Sequence, residues 1–268
     1  MLMKNKPYKA VLTGATGGIG RAIALQLAPQ CSSLILMGRD TQKLEALKNE
    51  LTNTAASATK IQIVSGDLCD DSTSVRLMDA VLAQQGINLL INNAGISQFK
   101  SFTNQSDKDI TQLMLTNLIS PMLLCKQLLP LLKKEPSQII NIGSIFGYLG
   151  FPGFSSYCAS KFGLRGFSQS LRRELSDSPV SVRYFAPRAT KTSINSDQVM
   201  QMNAELKTDA DTPKEVAKEF IKFLGGNAWE KKLGFKETFF VFMNHLFPSV
   251  PDKAIQGQLP IINKYLNK

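Results

Sequence analysis

A chain of 268 residues that is 43% hydrophobic and 19% charged is the size of one large α/β domain and can bury a substantial core. Its net charge of +10 invites an anionic partner, but the cations are spread along the chain with no block of five or six. That pattern argues against nucleic acid and leaves an anionic cofactor, substrate or lipid surface. The single histidine, His245, leaves no material for a His-rich metal site, and there is no GxSxG elbow for it to serve. Four scattered cysteines (Cys31, Cys69, Cys125, Cys158) lack a CxxC pair, which suits a reducing compartment and gives no metal site. No apolar run approaches the ~20 residues of a bilayer span. The opening "MLMKNKPYKAVLTG" has too short an apolar stretch for a signal peptide and reads as a first strand, so a cytoplasmic protein is expected.

In chain order, short β-branched runs alternate with amphipathic stretches. "KAVLTG", "SLILMGR", "IQIVSGD", "NLLINNAG", "SQIINIGS" and "VSVRYFAP" read as strands. The helical stretches between them are "IGRAIALQLAPQ", "TQKLEALKNELTNTA", "STSVRLMDAVLAQQG", "DITQLMLTNLISPMLLCKQLLPLLKK" and "SYCASKFGLRGFSQSLRRELSDS". Regular β–α alternation predicts parallel strands with right-handed crossovers, hence a doubly wound α/β sheet of the Rossmann type. Residues 1–195 read as a nucleotide-binding and catalytic core. Residues 196–268 stay helical but lose the alternation, and read as a substrate lid and helical appendage of the same domain.

The first strand runs into "TGATGGIG", which places Gly14, Gly18 and Gly20, with Thr16 and Ile19 between them, at a strand-to-helix turn. Glycines there let backbone approach a pyrophosphate, which sits on the helix N-terminus. The second strand ends at Gly38-Arg39. An arginine at this point suits a ribose 2′-phosphate through charge-assisted hydrogen bonds and favours NADP(H), although Asp40 follows at once and a solvated arginine is the alternative. The third strand ends in "SGDL", where Asp67, beside Leu68, can accept a bond from an adenine amino group or simply cap the next turn. Ser144 closes the fifth strand. Tyr157 opens a helix 13 positions later and Lys161 follows at i+4, on the same helix face. A cation beside a phenol is expected to lower its pKa and fit it for proton transfer at neutral pH, with Ser144 holding the same substrate oxygen.

Taken in order, "TGATGGIG", Asp67, "NNAG" at 92–95, Asn117 in "LMLTNLIS", Ser144 and "YCASK" at 157–161 resemble the short-chain dehydrogenases/reductases over residues 8 to about 195. The resemblance implies that Tyr157 is the acid/base, that Ser144 positions the substrate oxygen, and that Lys161 binds the nicotinamide ribose. It also implies that Asn117 keeps a helix kink and holds a relay water, and that Asn92, Asn93, Ala94 and Gly95 stabilise the central strand and contact the cofactor. After the sixth strand the family has Pro-Gly and then a threonine that binds the carboxamide. Here "APRATKT" keeps Pro187 and Thr192 in register, but Arg188 replaces the glycine. Either the loop takes another path, or Arg188 reaches an anionic substrate or cofactor group.

The loop "IFGYLGFPGF" (145–154) reads as an apolar wall, and "SINSDQVMQMNAELK" (193–207) as a mobile, methionine-containing cover. In the tail, Phe235, Phe239, Phe242, Met243 and Leu246 fall on one helical stripe, widened by Phe240, Val241 and Phe247. Packing on the domain, a subunit partner or a membrane surface over residues 228–268 would each explain it. The expected protein is an NADP-dependent oxidoreductase that reduces a carbonyl on an apolar small molecule. An NAD-dependent alcohol dehydrogenase and a non-catalytic NADP(H)-binding sensor or scaffold are the alternatives. The family's habit implies a homodimer or homotetramer.

Overall fold

A computed structural model describes residues 6–54 and 59–266. The first five residues of the N-terminal stretch, Ala55 at the end of the second expected helix, and the last two residues lie outside the described residues. The six expected strands form as β1 (Tyr8–Thr13), β2 (Cys31–Gly38), β3 (Lys60–Ser65), β4 (Leu89–Asn92), β5 (Ser137–Ile142) and β6 (Val180–Ala186). A seventh, β7 (Glu230–Lys232), completes a parallel sheet in the order β3-β2-β1-β4-β5-β6-β7. The crossovers from β1 to β2 and from β3 to β4 leave in opposite directions. A crevice therefore opens at the carboxyl ends of β1 and β4, where such sheets bind nucleotides.

The strands read as nearly continuous apolar runs because both faces are covered. On one face, Ala10, Leu12, Leu34, Leu36 and Ile91 pack under α1 (Gly18–Leu27), α2 (Thr41–Thr54) and, beyond them in the chain, α8 (Pro213–Leu224), which supplies Val216 and Phe220. On the other, Val11, Ile35, Leu90 and Ile139 meet Leu77 and Val81 of α3 (Asp71–Ala83). The long helical stretch Asp107–Leu132 also packs there. It is apolar and long enough to pass for a membrane span. That corrects the expectation that nothing in the chain approaches one. The stretch is a core helix, because Leu124, Leu128 and Leu132 are buried against the sheet. It consists of α4 (Asp107–Met114), a π-helical turn (Leu115–Ile119) and α5 (Ser120–Leu132).

The remaining helices are α6 (Ser155–Glu174), α7 (Asp197–Glu205), α9 (Phe235–Leu246) and α10 (Ser249–Leu266). Residues 196–268 do not behave as one appendage. The α8 helix belongs to a core layer and β7 to the sheet, while α7, α9 and α10 cap the catalytic end. The short polar run "EKK" carries no strand pattern. It pairs because β6 offers a free edge and because buried Arg183 ties the turn before it, donating to the carbonyls of Leu224 (3.1 Å) and Ala228 (2.9 Å) and to Gln138 Oε1 (2.8 Å).

Candidate active site

A continuous cavity of about 1160 Å³ runs from the carboxyl ends of β1 and β2 to the underside of α7, α9 and α10. Its lining includes Gly14, Thr16, Gly18, Ile19, Gly20, Arg39, Asp67, Leu68, Asn93, Ala94, Gly95, Ser144, Tyr157, Lys161, Pro187 and Thr192. Of the residues singled out in the sequence for a site, Asn117 stands behind the cavity wall rather than in it.

The nucleotide end fits a dinucleotide by its shape. Gly14 has φ +63°, and a Cβ there would lie 2.7 Å from Ala94 Cα. At Gly20 a Cβ would overlap the Gly14 carbonyl oxygen, at 2.1 Å. Both positions need glycine before any ligand is considered, and the turn they make leaves backbone N–H groups open at the start of α1. Thr13 accepts from the backbone N–H groups of Asn93 and Ala94 (3.0 Å each), and Asn93 Nδ2 donates to the carbonyls of Thr13 and Gly14 (3.0 Å each). The glycine turn and the end of β4 are thus locked to one another. Thr13 carries no motif of its own; only its place before Gly14 hints at the role. Asn92 is a different case. It is buried beneath the sheet, where it donates to Asn141 Oδ1 (2.8 Å) and to Cys125 Sγ (3.3 Å), so its part is structural.

Arg39 is exposed at the cavity edge with no carboxylate partner among the described residues. Asp40 is already engaged: its Oδ1 accepts from the Lys43 N–H (3.0 Å) and its Oδ2 pairs with the Lys43 ammonium (3.4 Å). The acid next to Arg39 therefore caps α2 instead of offering itself to a ribose. Asp67 Oδ1 accepts from the Cys69 N–H (2.9 Å), so the capping alternative is realised at one of its oxygens.

At the catalytic end, Tyr157 and Lys161 share one face of α6, with Lys161 Nζ 5.8 Å from the tyrosine ring centroid. The ammonium donates to the Ile142 carbonyl (3.1 Å). Burial pushes the Tyr157 phenol up to about 12, opposed by hydrogen bonding with Ser144, and brings Lys161 down to about 8. The expectation that the lysine lowers the phenol's pKa is corrected. The net shift is upward because burial exceeds the opposing hydrogen bond with Ser144, which leaves the phenol protonated. Ser144 Oγ accepts from the Phe146 N–H (3.1 Å), which fixes the hydroxyl at the end of β5.

Asn117 occupies the π-helical turn. Its Oδ1 accepts from the Ile96 N–H (2.8 Å), and its Nδ2 donates to the Ile96 carbonyl (2.9 Å) and to Ser160 Oγ (3.1 Å). The kink implied by the family is this turn, and it ties the chain after β4 to α6 one residue before Lys161.

Beyond Tyr157 the wall is aromatic. Phe146 stacks on Phe151 (5.4 Å between centroids) and tilts against Phe154 (5.2 Å), and both Phe146 and Phe154 meet the Tyr157 ring. Tyr148, counted with them in the sequence, turns into the core and donates to Glu230 Oε2 (2.9 Å). The expected mobile cover is largely the ordered helix α7. Val199 and Met202 are buried against α10, and Lys264 pairs with Glu205 (2.7 Å).

Arg188 meets no free anion. Its guanidinium is held by Asp211 (2.8 Å), Asp209 (3.4 Å) and Glu237 (3.5 Å), which join the loop after β6 to the approach to α8 and to α9. It also lies outside the left-handed region, so the loop does not require the family's glycine. These carboxylates were not legible in the sequence, being 21 to 49 positions away. Arg188→Gly should leave Asp211 and Glu237 half-buried without their cation. We expect a loss of about 1–3 kcal/mol in thermal unfolding, a several-fold rise in substrate KM with a smaller change in kcat, and faster amide exchange over residues 206–212.

The family profile described as "short chain dehydrogenase" matches residues 8–203. Among curated relatives, 3-oxoacyl-(acyl-carrier-protein) reductase FabG of Aquifex aeolicus is 31% identical over 212 residues, 76% of this chain and 84% of the relative. Dehydrogenase/reductase SDR family member 7B of Xenopus laevis is 31% identical over 255 residues, 90% of this chain and 78% of the relative. A solved short-chain dehydrogenase from Streptomyces avermitilis superposes with a TM-score of 0.77 at 24% identity, covering 94% of this chain and 96% of that one. Another from Burkholderia cenocepacia, in complex with NADP, gives 0.73 at 23%, covering 82% and 91%. The profile covers more than half of the sequence and these relatives exceed 30% identity, so the chain belongs to the short-chain dehydrogenase family, oxidoreductases that interconvert carbonyls and alcohols.

Proposed function

We propose that this protein uses NADPH to reduce the carbonyl of an apolar, lipid-like substrate: a ketone, an aldehyde or a ketoacyl group. One observation carries the reading. The same cavity that begins at exposed Arg39 continues past Tyr157 into a wall of Phe146, Phe151, Phe154 and Met202. NADPH, held by the glycine turn, Arg39, Asp67 and Asn93, would supply the hydride. The protein's own part is acid catalysis. Ser144 and Tyr157 hold the carbonyl oxygen, the protonated phenol gives up its proton as charge builds on that oxygen, and cationic Lys161 stabilises the phenolate left behind. A protonated phenol is the form that donates to a carbonyl during reduction. The ketoacyl option draws support from the FabG relative named above.

The test is a fluorescence titration of NADPH against NADH. NADPH should bind at least about tenfold tighter, about 1.4 kcal/mol, and Arg39→Ala should erase the difference. Equal binding of the two by the wild type would sink the NADP assignment and leave an NAD-dependent enzyme. Self-association fits a second feature. Ile119, Met122 and Leu123 around the start of α5, with Phe162 of α6, expose apolar surface on adjoining helices, a face suited to another copy of the chain.

A further inference from the structure

Of the α9 stripe foreseen in the sequence, all but half-buried Met243 stand out from the domain. Phe235, Phe239, Phe242 and Leu246 stand at i, i+4, i+7 and i+11, on one helix face, and are 88%, 56%, 55% and 52% exposed. Phe247 and Val250 extend this surface across the turn into α10, where the Val250 N–H donates to the Phe247 carbonyl (2.9 Å). Only Val241 of this helix is buried. No other segment of comparable length among the described residues exposes so many large apolar side chains.

We propose that this face docks the protein on an anionic bilayer surface. Three features choose that occupant over a second copy of the chain. The chain carries a net charge of +10, and exposed Lys253 stands beside Asp252 at the start of α10, while Lys236 and Lys264 are held by Asp209 (3.1 Å) and Glu205 (2.7 Å). The stripe's own acid, Glu237, is turned inward onto Arg188, so no carboxylate opposes a negative surface along α9. Finally, the inner faces of these two helices wall the cavity, through Lys236, Glu237 and Phe240 of α9 and Ile255 and Gln258 of α10. Phenylalanines seated in a headgroup layer would put the cavity mouth at the depth where an apolar substrate resides. A copy–copy contact would account for the apolar stripe but not for its position on the cavity wall, and the α5–α6 face already offers a surface for self-association.

The purpose of the docking rests on the apolar-substrate reading above; the docking itself is tested without substrate. Vesicles of phosphatidylcholine alone and of phosphatidylcholine with phosphatidylserine are floated with the wild type and with Phe239→Glu/Phe242→Glu. The wild type should rise with the anionic vesicles and at least about tenfold less with the neutral ones. The double variant should stay at the bottom while keeping wild-type NADPH binding and the same sedimentation coefficient. Phe242→Cys carrying an environment-sensitive fluorophore should shift to the blue on anionic vesicles, a readout independent of the charge-bearing variant. Wild-type protein that stays down with anionic vesicles at low salt overturns the proposal. A double variant that sediments as a smaller species does so too, by showing that the face binds another copy. Neither result touches the cofactor and activity assays that test the reductase reading.

Discussion

Replacing Tyr157 with phenylalanine should lower kcat for carbonyl reduction by about a thousandfold and leave cofactor binding within about twofold. The substitution keeps the ring that Phe146 and Phe154 pack against and removes only the hydroxyl, so the wall beside the carbonyl survives while its proton donor is lost. Burial raises the phenol to about 12 and lowers Lys161 to about 8, so the alkaline limb of the rate is expected to follow Lys161. Reduction should hold a plateau at neutral pH and decline as pH rises through about 8, when the cation that steadies the nascent phenolate is lost. Steady-state rates from pH 6 to 10 measure both effects. A Tyr157→Phe enzyme within about tenfold of wild type would show that the proton comes from another group, with Ser144 the first to examine.

What could be read from the sequence follows the range of the interactions concerned. The glycine turn, the i,i+4 Tyr157–Lys161 pair and Ser144 at a strand end are local patterns, and each lines the cavity where local spacing placed it. Arg39 and Asp40 illustrate the next step. Their adjacency leaves the 2′-phosphate site ambiguous in the sequence, and spacing could not show that Asp40 turns back to cap α2. The direction of the Tyr157 shift was misjudged for a related reason. Spacing reveals a neighbouring cation but not how far water has been removed from the phenol, and here water removal wins. The Arg188 clamp and β7 were out of reach altogether. Both depend on partners that the fold alone brings together: Asp209, Asp211 and Glu237 for one, the open edge of β6 for the other. The tail shows the opposite failing: its periodicity gave the helix, but it could not say that Phe235, Phe239, Phe242 and Leu246 face outward while Met243 is half-buried, Val241 is buried and Phe240 lines the cavity.

Lys161→Met should abolish most turnover, by about a hundredfold or more, and at the same time stabilise the fold at neutral pH. The lysine is 5% exposed and its ammonium donates to the Ile142 carbonyl, with no carboxylate beside it among the described residues. A drop from 10.5 to about 8 corresponds to a cost of roughly 3 kcal/mol for keeping that charge out of water. Methionine has a similar length and no charge to desolvate; losing the bond to Ile142 returns about 1 kcal/mol of the gain. The sign of the pH dependence follows from proton counting. Between about 8 and 10.5 the unfolded chain carries the lysine proton and the fold does not, so this group makes stability rise with pH across that window. Below about 8 both states hold the proton and the full penalty remains. Urea unfolding at pH 7 and pH 9.5 should therefore show the wild type gaining on the variant as pH rises, with the titrations of other groups common to both proteins. If the variant is less stable than wild type at pH 7, the ammonium is being held by more than the Ile142 carbonyl, and the claim that this enzyme gives up stability to keep a cation next to its acid is wrong.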